Sequence, residues 1–117
     1  MQKVVNAELL DCKAHGVVSI FTPATGITVT RVQLSTPAGQ IGCNPLPGIK
    51  VTNGTSTVFL AIPNTTATNG STGPVSNDTG VISVPFSAGT QIRLKAVAGS
   101  SGCNPSEINI VVQYSVP

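Results

Sequence analysis

Chemistry in this chain would have to be built from few groups. Three cysteines (Cys12, Cys43, Cys103), one histidine (His15) and four acids (Glu8, Asp11, Asp78, Glu107) are all that could serve as thiol nucleophile, metal ligand or acid–base pair. Cys12 and His15 form a C-x-x-H pair, and with Cys43 and Cys103 they would make three thiolates and an imidazole, a set that structural zinc accepts. Closed zinc sites bring their ligands in close pairs, and only one pair exists here, so no metal is expected. A Cys-His nucleophile needs its imidazole within hydrogen-bond reach and a third group to orient it. Asp11 is near in sequence, but three neighbours at one strand end seldom converge. The acids are too few and too separated for a general acid and base. No phosphate loop, nucleophile elbow or dinucleotide fingerprint occurs. The chain is therefore read as a non-enzyme, with no catalytic residue and no cofactor.

The cysteines also mark a repeat. Ala38-Gly39-Gln40-Ile41-Gly42-Cys43-Asn44-Pro45 returns as Ala98-Gly99-Ser100-Ser101-Gly102-Cys103-Asn104-Pro105, identical at six of eight positions. Upstream, Gly16-Val17-Val18-Ser19-Ile20 is echoed by Gly80-Val81-Ile82-Ser83-Val84, and each echo leads through a further strand into the repeated loop. The unit reads strand, turn, strand, Gly-rich loop, strand. Two readings stand: one supersecondary unit used twice, each copy supplying a buried face that the other covers, or convergent loop chemistry in which Gly supplies positive φ and Asn-Pro starts a turn. An odd cysteine count is unlike a disulfide-rich secreted framework. The residues leave open both a Cys43–Cys103 bridge, formed if the two loops converge, and three reduced thiols.

The elements that must position these groups are strands. Short runs alternate apolar and polar residues and are separated by clusters of Gly, Pro, Asn, Ser and Thr. Strands are expected at Lys3–Leu9, Val17–Phe21, Ile27–Leu34, Ile49–Thr52, Thr57–Ile62, Val81–Phe86, Gln91–Val97 and Glu107–Ser115, about eight in all. In the last, Ile108, Ile110, Val112 and Tyr114 share one face and should be core. In the third, Ile27 and Val29 have one parity and Val32 and Leu34 the other, so a β-bulge near Thr30 and Arg31 is needed to keep one buried face. Asn53-Gly54 predicts a tight hairpin that makes its flanking strands antiparallel neighbours. A chain of 117 residues is one domain by size. Its strands close most economically as an all-β, antiparallel two-sheet β-sandwich, jelly-roll-like, with an internal pseudo-repeat; an immunoglobulin-type sandwich lacks its usual buried Trp between paired cysteines.

Charged residues make up 9% of the chain against roughly 25% in an ordinary soluble domain, so the exterior is coated by hydroxyls and amides. A neutral exterior resists association weakly, and part of it is expected to be covered by a partner or by further copies of the chain. The six basic residues, Lys3, Lys13, Arg31, Lys50, Arg93 and Lys95, are scattered, except that Arg93 and Lys95 project from one side of one strand. With a net charge of +2 and Phe21, Phe59, Phe86 and Tyr114 as the aromatics, no nucleic-acid groove is expected. No run approaches the roughly 18 apolar residues that span a bilayer, so no membrane is expected either. Residues 1–10 lack the pattern of a secretory signal, which points to a product made in the cytoplasm or already trimmed. The Asn-x-Ser/Thr triplets at Asn53, Asn64, Asn69 and Asn77 follow from composition.

Two segments are candidate contact sites. The first, residues 1–10, is an N-terminal arm or edge strand in which Gln2, Lys3, Val4 and Val5 would add to an edge on a neighbour. The second, Pro63 to Gly80, is read as one long polar loop whose Asn64, Thr65, Thr66, Asn69 and Asn77 could recognise a partner.

The C-terminal third, Gly80-Val81-Ile82-Ser83-Val84-Pro85-Phe86-Ser87-Ala88-Gly89-Thr90 through Ile108-Asn109-Ile110-Val111-Val112-Gln113-Tyr114, resembles the closing strands of small jelly-roll bacteriophage virion proteins of the head decoration, cement or fibre-domain type. What the resemblance implies is a structural protein of the virion, made in the host cytoplasm. Such a protein would bind the major capsid protein or another virion protein, stabilise the capsid surface, and form a homo-oligomer. The alternative is a carbohydrate- or receptor-binding β-sandwich of a phage fibre or bacterial surface protein, contacting its ligand through the 64–77 stretch. Scarcity of aromatic platforms weighs against that alternative.

Overall fold

The computed structural model describes residues 2–11, 17–37, 39–65, 73–97, 99–100, 103 and 106–117. Among these residues nine strands appear: β1 (Gln2–Asp11), β2 (Val17–Phe21), β3 (Ile27–Thr36), β4 (Gly48–Thr52), β5 (Thr57–Ala61), β6 (Val75–Asp78), β7 (Val84–Phe86), β8 (Ile92–Val97) and β9 (Ser106–Ser115). The first sheet runs β1-β9-β3-β6, with β7 also on β3; the second runs β2-β8-β4-β5. Every pairing is antiparallel. β7 pairs with the first part of β3, at Ile27 to Val29, and β6 with its last part, at Gln33 to Thr36. Together β6 and β7 fill one strand position, which leaves eight positions in two four-stranded sheets. The successive partners β1 with β9, β2 with β8, β3 with β6 and β7, and β4 with β5 are the wrapping of a jelly roll.

Alternation explains why the sheets close on each other. Ile27, Val29, Val32 and Leu34 of β3 and Ile108, Ile110 and Val112 of β9 are buried against Ile49 and Val51 of β4 and Ile92 and Leu94 of β8. The intervening residues Gln33, Ser35, Lys50, Lys95, Asn109 and Gln113 lie on the opposite faces. Phe21 of β2 stacks on Tyr114 of β9, ring centres 5.2 Å apart, and so closes one side of the sandwich.

The change of phase in β3 is a bulge, where the register with β9 slips between Val29 and Arg31. The chain opposite answers it by breaking. Between β6 and β7, the Thr79 N–H donates to the Val32 carbonyl and its hydroxyl accepts from the Val32 N–H, while the Ile82 N–H donates to the Thr30 carbonyl. Gly80, at φ +70°, allows the outward turn that leaves Val81 88% exposed. The hairpin at Asn53 joins β4 to β5, and the Asn53 side-chain oxygen accepts the N–H groups of Thr55 and Ser56.

Two expectations are corrected. Residues 63–80 are not one loop, because Val75–Asp78 forms β6, and the sixth expected strand starts at Val84 rather than Val81. The repeated units do not supply one face each: β2, β3 and β4 alternate second, first, second sheet, whereas β7, β8 and β9 alternate first, second, first. The two halves exchange sheets, so each contributes to both walls of one core.

Phe86, 1% exposed, stands beside Ile27 of β3 and is part of the core. Phe86→Ala should lower the unfolding free energy by about 3–5 kcal/mol. Chemical denaturation measures this, and a loss under ~1 kcal/mol would contradict the packing.

Candidate interaction surfaces

The loops before β4, β6 and β9 gather at one end of the sandwich and are tied together there. Cys43 and Cys103, equivalent positions of the repeat, form a disulfide with Cα atoms 6.0 Å apart. The Ser100 N–H donates to the Pro45 carbonyl at 2.9 Å, and its hydroxyl accepts from the Asn44 N–H at 3.0 Å. The Asn44–Pro45 bond is cis. The repeat's leading glycines both sit at close approaches: a Cβ on Gly99 would lie 2.6 Å from the Pro47 nitrogen, and one on Gly39 would lie 2.9 Å from a Val75 methyl. With Cys43 and Cys103 oxidised, two of the four thiol and imidazole groups that could have formed a zinc set are spent. Cys12 and His15 lie outside the described residues.

The polar candidates between 63 and 80 are largely occupied by the fold. The Asn64 side chain brackets Cys43, accepting its N–H at 2.8 Å and donating to its carbonyl at 3.2 Å. Thr65 is buried and its N–H donates to the Gln40 carbonyl. Asn77 donates from Nδ2 to the Ala61 carbonyl at 2.9 Å, across to the other sheet. Thr66 and Asn69 lie outside the described residues. The candidates of residues 1–10 lie on β1, which occupies the edge of the first sheet beside β9. Gln2 and Lys3 are exposed, as is Val4 at 55%, whereas Val5 packs against the core. Gln2 Nε2 donates to Thr30 Oγ1 at 2.7 Å, joining β1 to the β3 bulge.

On the outer face of the first sheet, Arg31 holds Asp78 in a two-pronged ion pair, with Nε 2.9 Å from Oδ1. Gln33 Nε2 and the Gly80 N–H also donate to this carboxylate. The hydrogen bond from Arg31, then that from Gly80, holds the Asp78 carboxyl well below the usual carboxylate range. An open groove beside the pair is lined by Gln33, Ser35, Ser76, Asp78 and Asn109.

The outer face of the second sheet differs in character. The register aligns Val17 with Lys95, Lys95 with Lys50, and Lys50 with Phe59 in one row across all four strands. Arg93 stands in the next row, opposite Thr52 and Ser19. Sequence parity placed Arg93 and Lys95 together; Lys50, more than 40 positions earlier, joins them only through the β4–β8 pairing. Val17 and Phe59, exposed at 46% and 49%, bound the row.

The class these features define is a disulfide-tied jelly-roll sandwich with two contrasting outer faces. No protein-family model and no curated protein sequence matches the chain. Among solved structures it is similar to a chain of the cyanophage Pam1 capsid asymmetric unit, at a TM-score of 0.52 and 14% identity, over 99% of this chain and 85% of that one. A chain of infectious bursal disease virus, Gt strain, aligns at a TM-score of 0.23 and 13% identity over 100% of this chain and 36% of its own, too low to bear on the fold.

Two outcomes are expected. Because a depressed carboxyl pKa stabilises the fold above the ordinary carboxylate range, the Asp78 contribution should hold at neutral pH and be lost as pH falls through the folded value. Asp78→Asn should therefore flatten the acid limb of a pH series of urea midpoints; an unaltered limb would contradict this. Opening the loop closed by the disulfide, whose cysteines are 60 residues apart, should cost about 2–4 kcal/mol. Urea melts of the Cys43→Ser/Cys103→Ser protein beside the oxidised wild type measure it, and coincident curves would argue against the bond.

Proposed function

We propose that this chain is a non-enzymatic structural protein of a virion that binds a capsid surface and braces it, as a decoration or cement protein does. The observation that carries the reading is the end-to-end likeness of its fold to a chain described within a phage capsid asymmetric unit. The composition supports it: an exterior poor in charge and rich in hydroxyls and amides suits a protein that is covered on assembly. In this reading the partner is the major capsid protein or another virion protein, the chain works as a homo-oligomer, and it is made in the host cytoplasm before joining the particle.

The carbohydrate- or receptor-binding alternative has less to stand on, because the described amides of its expected contact stretch, Asn64 and Asn77, are engaged with backbone. Co-sedimentation with empty capsids of the corresponding phage is the test. The purified chain should pellet saturably with capsids and raise their thermal disruption temperature. A chain that stays in the supernatant at all concentrations, yet binds a glycan array, would overturn the proposal in favour of the alternative.

A further inference from the structure

We propose that the outer face of the second sheet is the docking surface of this protein, and that its occupant is a carboxylate-rich patch on the capsid; the inference rests on the capsid-binding reading above. The distribution of charge between the two sheets carries it. All four acids of the chain, Glu8, Asp11, Asp78 and Glu107, lie on strands of the first sheet, together with Lys3 and Arg31. Strands of the second sheet hold Lys50, Arg93 and Lys95 and no acid. Among the described residues, none of these three cations has an ion-pair partner.

Lys50 and Lys95 stand directly opposite each other on adjacent strands, an arrangement that destabilises a sheet unless something negative is brought between them. Both are exposed. Phe59, whose ring lies across Gly48, and Val17 supply apolar contact at the two ends of the row. The result is a cationic centre with apolar flanks on a four-stranded platform. Such a face steers toward negative potential and rejects positive surfaces.

The other occupants fit less well. A second copy would have to offer its first sheet, where Asp78 is already neutralised by Arg31 and the remaining acids, Glu8, Asp11 and Glu107, stand toward one end of the β1–β9 pair rather than across the face. A nucleic acid would meet three cations and one aromatic ring, too little for tracking a backbone or stacking successive bases.

The experiment is capsid co-sedimentation of the wild-type chain, a Lys50→Glu/Lys95→Glu variant and a Lys3→Glu variant, at low and high salt. The wild type should bind and weaken with salt. The double variant should bind on the order of ten-fold more weakly or worse. Lys3→Glu, a charge reversal on the first sheet, should bind as the wild type does. The single variant Lys50→Glu keeps the test independent of folding, since it replaces a like-charged pair by an opposite one and should leave Tm unchanged or higher while still weakening binding. If the double variant binds capsids as well as the wild type, the docking face is wrong while the capsid reading stands. If the wild type itself does not bind, the capsid reading falls and the inference with it. Loss of self-association in sedimentation equilibrium, with capsid binding intact, would make the occupant a second copy. Capsid-strength binding to a short DNA duplex would make it nucleic acid. Either result overturns the proposal.

Discussion

The structure depends on one constraint: β3 and β9, paired along most of their length at the centre of the first sheet, must present every alternate side chain to β4 and β8 across the core. A slip of one residue would turn Val32 and Leu34 out to solvent and bring Arg31 and Gln33 in. The bulge at Thr30 makes the sequence compatible with the packing, and its consequences spread outward. The facing strand splits into β6 and β7, Thr79 and Ile82 satisfy the backbone groups left at the bulge, and Val81 is turned to the exterior. An edge feature of the surface is thus the far end of a register decision taken in the core.

The second organising feature is the relation between the halves. The repeat seen around Cys43 and Cys103 corresponds to the alternation of each half between the sheets, and the disulfide joins equivalent points of the two. A bond at that place constrains both halves together, and Asn64, Ser100 and the two close-packed glycines surround it with hydrogen bonds and tight backbone contacts. The apolar core holds the sheets face to face, while the disulfide and its neighbours fix the loops at one end.

The exterior is divided by chemistry. The first sheet carries the four acids, with Lys3 and the Arg31 that pairs with Asp78, whereas the second carries cations that have no ion-pair partner among the described residues, beside exposed Phe59 and Val17. In a chain with so few charges, this segregation gives the sandwich two distinguishable sides. Such sidedness is what a protein bound to a larger surface needs if it is to seat in one orientation.

Sequence alone determined the all-β class, the positions of most strands, the bulge at Thr30 and the hairpin at Asn53, because each is written in local alternation or turn chemistry. It could not find β6. Of Val75, Ser76, Asn77 and Asp78 only the first is apolar, and the inward-facing Asn77 is accommodated by its hydrogen bond to Ala61 rather than by hydrophobic burial. Period-two hydrophobicity is blind to a strand held in this way. The tertiary structure alone decided that Cys43 and Cys103 meet, that Asn64 and Asn77 serve the fold, and that Lys50 lies beside Lys95. Each depends on which distant strands become neighbours, a property of the wrapped sheets that no spacing along the chain encodes.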